Sequence, residues 1–213
     1  MKPATVERED FTLSPQGREP LPNAVVYPDK GTDGGWRRRQ IVAMLALAAP
    51  LAACENKKAK RAFEGLASST HGVAVGNLSS PKTVYAFFDT SCSHCRLVWN
   101  MALPVLQQAR WVWVPLDSGM PGSRQGAIDC LSSPDPQAWL KAHMAGQPVD
   151  AFQERNTDLR ELADGYVTNN RSALAPLPEY TGPIPFVIGW HDGDLVILKS
   201  GTYMDLRSLG FHA

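Results

Sequence analysis

Between Thr83 and Leu106 the sequence changes its period across a pair of cysteines, and few folds accommodate that change. Thr83-Val84-Tyr85-Ala86-Phe87-Phe88 is a β-branched and aromatic run without polar interruption, the pattern of a central strand covered on both faces. Asp89-Thr90-Ser91 follows, then Cys92-Ser93-His94-Cys95. From Arg96 onward apolar residues recur at helical spacing, with Leu97, Val98, Met101, Ala102, Val105 and Leu106 in one stripe. The Cys-x-x-Cys pair therefore lies where a buried strand turns into a helix. Pro104 falls inside that helix and is expected to kink it without ending it, because the stripe resumes at Val105.

This placement carries chemistry. The first cysteine meets the unpaired N–H groups and positive end of a helix, which favour an anion, so Cys92 is expected to act as a thiolate nucleophile. Cys95, one turn further in, is shielded and suited to resolving a mixed disulfide by attacking the Cys92 sulfur. His94 between them is expected to donate a hydrogen bond to the thiolate or, protonated, to pair with it. Asp89 at the strand end has two readings, proton transfer to Cys95 or a cap on the turn. A structural zinc site would need a second pair of ligands, and the sequence offers none at ligand spacing, so no metal and no cofactor are expected. A copper-binding variant, with both cysteines and a histidine or methionine as soft ligands, is the competing chemistry.

The first quarter of the chain reads differently. Residues 1–36 are rich in Pro, Gly and acidic residues with little apolar periodicity, which suggests a disordered extension. Arg37, Arg38 and Arg39 then precede an apolar run of thirteen residues from Ile41 to Ala53. A helix needs about 20 residues to span a bilayer, so this run fits the hydrophobic region of a signal peptide instead. Leu51-Ala52-Ala53-Cys54 has the form of a lipoprotein cleavage site, which makes 37–54 a lipoprotein signal and Cys54 the acylated residue. The long forerunner fits either an overcalled start or the n-region of a twin-arginine signal. Residues 55–80 read as a tether with a short helix, and 81–213 as the globular domain. With 21 basic against 21 acidic side chains, no long-range field recruits nucleic acid.

The stretch Val84 to Trp99, VYAFFDTSCSHCRLVW, resembles the active-site strand and helix of the DsbC/DsbG group of periplasmic disulfide isomerases, including the Asp before the first Cys and the aromatic after the second. Arg110-Trp111-Val112-Trp113-Val114-Pro115 is similar to that group's next strand, and Ala127-Ile128-Asp129-Cys130 with Ala138-Trp139 to its inserted helical segment. His94-Cys95 also resembles the end of the DsbA motif, although Ser93 replaces its proline. The resemblance implies an α/β, thioredoxin-like fold with a helical insertion between the active-site βαβ unit and a cis-proline hairpin. It assigns Pro185 as the cis-proline, with Ile184 before it offering backbone groups to an extended client; Pro183 is the competitor. The insertion reads as helices at 124–131, 135–145 and 158–173. Asp192-Gly193 between two apolar runs marks the hairpin on its own.

That group's members carry an N-terminal dimerisation domain, and the segment between Cys54 and the first core strand is too short for one. A monomeric catalytic domain, tethered to the membrane in the periplasm by its lipid, is therefore expected to exchange disulfides with protein substrates and a redox partner protein. The alternatives are a copper-binding envelope chaperone and a non-catalytic thioredoxin-fold lipoprotein within an envelope assembly. Cys130 is expected to be buried and inert, and His71, His143, His191 and His212 to be surface residues.

Overall fold

The computed structural model describes residues 56–150, 156–177, 184–199 and 205–212. The extension 1–36, the signal segment with Cys54, and Pro183 lie outside the described residues. Strand β2 (Thr83–Phe88) occupies the middle of a five-stranded sheet of order β1-β3-β2-β4-β5. Strand β3 (Arg110–Pro115) runs parallel to it, with Val84 opposite Trp111 and Phe88 opposite Pro115. On the other side β4 (Phe186–His191) is antiparallel, pairing Tyr85 with Ile188. Strands β1 (Val73–Gly76) and β5 (Asp194–Lys199) form the two edges, each antiparallel to its neighbour.

The unbroken apolar run of β2 has a simple cause, because successive side chains enter different cores. Val84, Ala86 and Phe88 meet Trp111, Trp113 and Val187 beneath helix α2 (Ser93–Ala102) and helix α4 (Pro136–Met144). Tyr85 and Phe87 face the opposite side, where Leu66 of helix α1 (56–69) and the chain after helix α5 (Thr157–Ser172), through Leu174 and Leu177, close a second cluster. Phe63 of α1 lies edge-on to Tyr85, ring centroids 5.6 Å apart. Helix α3 (Ser123–Ser132) joins the first core through Cys130.

Three expectations change here. The globular unit starts before residue 81, since α1 packs on the sheet and β1 belongs to it; a four-residue edge strand is too short to show a period. The α-helix ends at Ala102 and a 3₁₀ helix, Leu103–Gln108, takes over, because Pro104 has no N–H for the carbonyl one turn back. The buried stripe of α2 is Cys95, Val98, Trp99 and Ala102, leaving Leu97 59% exposed. The insertion helices form within a residue or so of their expected positions, and Asp135 caps α4 by accepting the Ala138 N–H at 2.9 Å. Asp192 and Gly193, both at positive φ, make the hairpin turn.

Candidate active site

Cys92 is the N-cap of α2, in extended conformation, so its side chain stands at the mouth of the helix. It is half-buried, and its Sγ lies 3.9 Å from the Ile184 carbonyl oxygen, to which the thiol donates. The Ile184–Pro185 peptide bond is cis and brings that carbonyl to the cysteine from the start of β4. Cys95 is 1% exposed, and both cysteines are free thiols. Burial pushes the Cys95 thiol well up from its ordinary value; the hydrogen bond to the Cys92 sulfur and the charges of Cys92 and Asp89 add to this, against the Asp89 N–H, which donates to Cys95 Sγ at 3.4 Å. The two sulfurs are thus chemically unequal, with the outer one reachable and the inner one holding its proton.

The turn between strand and helix is clamped from the insertion. The Asp89 carboxylate accepts the Ser91 N–H and the Ser123 hydroxyl, both at 2.6 Å. Ser91 Oγ donates to Pro121 O at 3.1 Å. Gly126 of α3 approaches so closely that a Cβ there would lie 2.8 Å from Thr90 Cβ and nearer still to Thr90 Oγ1. From α4, His143 Nε2 meets Thr90 O at 2.9 Å; a carbonyl only accepts, so Nε2 carries the proton. His143 also stacks on Trp139 at 4.8 Å, and burial holds its imidazole below the ordinary histidine range, with Arg96 acting the same way.

No family model matches the sequence, and neither does any curated protein. Solved structures do match. The thiol-disulfide exchange protein α-DsbA2 of Wolbachia pipientis aligns at TM-score 0.51 with 15% identity, over 73% of this chain and 91% of that one. The catalytic domain of Proteus mirabilis ScsC aligns at 0.52 with 14% identity, over 72% and 94%. A thioredoxin-like oxidoreductase of Silicibacter pomeroyi gives 0.50 with 16% identity, over 62% and 87%. The fold is thioredoxin-like. Its helical insertion, α3 to α5, lies between the β2-α2-β3 unit and the β4-β5 hairpin, as the sequence resemblance implied.

Within this thioredoxin-like frame Asp89, Cys92, Cys95, Ile184 and Pro185 come together. His94 does not join them: it is exposed on the first turn of α2, and among the described residues it makes no hydrogen bond to either thiol. His143 was missed as a site residue; it sits 53 positions from Thr90, and only the packing of α4 reveals it. His71, also expected at the surface, stacks on Tyr166 at 3.6 Å. Cys130 is fully buried in α3, where desolvation raises its thiol. Among the described residues no group of His, Cys, Asp and Glu is arranged to hold a metal, and no helix is long and apolar enough to cross a membrane.

Proposed function

We propose that this chain is a thiol–disulfide oxidoreductase of the bacterial cell envelope, in which Cys92 attacks and Cys95 resolves. The observation that carries the reading is the inequality of the two sulfurs: a half-buried Cys92 at the helix mouth, 3.9 Å from Ile184 O, over a Cys95 that is 1% exposed. Unpaired amides at a helix start stabilise a thiolate, and the thiolate is the species that exchanges. A client disulfide is opened when Cys92 S⁻ bonds one client sulfur and the other leaves with the electron pair. Cys95 then loses its proton, bonds Cys92 Sγ and expels the second client sulfur as thiolate. The client gains two electrons and the Cys92–Cys95 pair loses them; the reverse sequence oxidises a client dithiol.

The Ile184 carbonyl beside Cys92 is a backbone acceptor for the N–H of an extended client segment, so recognition through main chain rather than side chain fits this site. We place the protein in the periplasm as a monomer anchored by a lipid on Cys54, a reading supported by the Arg-rich and apolar sequence before that residue. The resemblance of residues 84–99 to the DsbC/DsbG group supports protein disulfides as substrates. Reduction of insulin and refolding of a scrambled disulfide protein test this. Wild-type protein is expected to accelerate both and Cys92→Ser to accelerate neither; equal activity in the two, or none in wild type, overturns the reading.

A further inference from the structure

Helix α1 has two opposite faces. Ala62, Phe63 and Leu66 pack on the sheet beside Tyr85 and Phe87. Lys57, Lys58, Lys60 and Arg61 are all exposed on the other side. Glu64, 3.9 Å from Lys60, is the only acid among the helix's described residues. The positive end of a helix disfavours cations in its first turn, so Lys57 and Lys58 work against the helix that carries them. A row of lysines and arginines just after a lipid anchor suits the anionic headgroups of a bilayer instead. A cleft of about 840 Å³ opens beside Lys58 and Arg61, toward the Ser172 end of α5, with room for a headgroup.

The start of this helix is pinned. Asn56 Nδ2 donates to Gly193 O and to Asp194 Oδ1, both at 3.0 Å, at the turn between β4 and β5. Cys54 precedes Asn56 by two residues, a reach of about 7 Å at most. A lipid there holds the domain close to the bilayer, without the tether that the sequence suggested over 55–80. Cys92 lies at the other end of the sheet, where Ile184 O meets it just before β4 begins. The six residues of β4 put about 17 Å between that end and the turn. Cys92 also lies on the other face, since α2 packs with Val84, Ala86 and Phe88 whereas α1 packs with Tyr85 and Phe87. The turn itself carries Asp192 and Asp194, exposed carboxylates that an anionic surface repels, so α1 rather than the turn is the side that charge draws down.

We propose that the basic face of α1 lies on an anionic bilayer, which turns Cys92 away from the membrane and makes proteins standing clear of its surface the partners in exchange. This rests on the exchange reading above and on the lipid at Cys54. Posture then acts as a filter on substrates. A disulfide held close to the headgroups meets the wrong side of the domain. An extended client arriving from the aqueous side reaches Cys92 and the Ile184 carbonyl together. The exchange chemistry itself does not depend on the four cations, because the sheet separates α1 from the cysteines.

The full chain, processed in a bacterial host, reduced and reconstituted on vesicles of phosphatidylethanolamine and phosphatidylglycerol, provides the test. Three probes are compared by release of thiopyridone: a short uncharged peptide carrying a pyridyl disulfide, free in solution, and the same peptide coupled to a lipid headgroup through a short or a long poly(ethylene glycol) spacer. A spacer that cannot span from headgroup to site gives almost no effective concentration, so the short-spacer probe is expected to react about tenfold or more slowly than the long-spacer one. The combined Lys57→Gln, Lys58→Gln, Lys60→Gln and Arg61→Gln chain, or molar salt on the wild type, is expected to bring the two within about threefold and to leave the soluble peptide's rate unchanged. Short and long probes that react alike on the wild-type chain overturn the inference and leave the exchange reading intact. A ratio that neither the Gln variant nor salt changes overturns the role given to α1. No reaction with the soluble peptide overturns the exchange reading, and a chain that washes off the vesicles overturns the lipid at Cys54; the inference falls with either.

Discussion

Gly126 and Gly165 both lie inside helices, and the same substitution is expected to act on them with opposite signs. Alanine is preferred over glycine in a helix interior by about 1 kcal/mol. Gly165 of α5 is exposed, and a Cβ there meets nothing within 4 Å, so Gly165→Ala should stabilise by about that amount. At Gly126 the added carbon would sit 2.8 Å from Thr90 Cβ, an atom fixed to a turn that Asp89, Ser91 and His143 already hold. Neither side can give way cheaply, which puts the overpacking cost near the upper end of its usual range, about 3 kcal/mol. Net of the helical gain, Gly126→Ala should destabilise by about 2 kcal/mol. With a urea slope of about 2 kcal/mol per molar, the midpoint falls by roughly 1 M. Thr90→Gly in the same chain removes the opposing atoms and should recover most of the loss. A Gly126→Ala midpoint equal to or above wild type would refute the close approach of α3 to the active-site turn.

Asn170 is fully buried, accepts the His71 N–H at 2.6 Å and donates to His71 O at 2.8 Å and Pro115 O at 3.0 Å. Asn170→Ala strands these backbone groups and should cost about 3 kcal/mol, measured by denaturant unfolding. Because burial lowers the His143 imidazole from 6.5, the unfolded chain takes up that proton first on acidification. The stability contributed by neutral His143 is therefore whole above that pH and lost as pH falls below it toward the lowered value. Thermal midpoints measured across this window should fall less steeply for His143→Gln than for wild type.

The central strand, the helix start at the cysteine pair, the hairpin at Asp192-Gly193 and the cap at Asp135 were all legible because each rests on residues close in sequence. Local chemistry sufficed for them. The edge strand Val73–Gly76 was not legible, since it exists through pairing with Trp111 and Trp113 rather than through any period of its own. Helix α1 looked polar because its packing rests on Ala62, Phe63 and Leu66, and a tether of the same composition would read alike. At the site, Asp89 and both cysteines fall within one short segment and could be singled out together. Ser123 and His143 join them from 34 and 53 positions away, so their roles depend on how α3 and α4 dock. His94 drew attention by its place between the cysteines and by its likeness to the DsbA motif, and it stands exposed on the first turn of α2.

The division of labour between the two sulfurs is tested most directly by trapping the mixed disulfide. Cys92→Ser, Cys95→Ser and wild-type chains, each reduced, are incubated with a disulfide-bonded peptide, quenched with acid and mapped by mass spectrometry. The Cys95→Ser chain should accumulate peptide bonded to Cys92, the Cys92→Ser chain should hold none on Cys95, and wild type should pass to an internal Cys92–Cys95 bond. Peptide captured on Cys95 as readily as on Cys92, or a wild-type chain that never closes its own disulfide, would contradict the account.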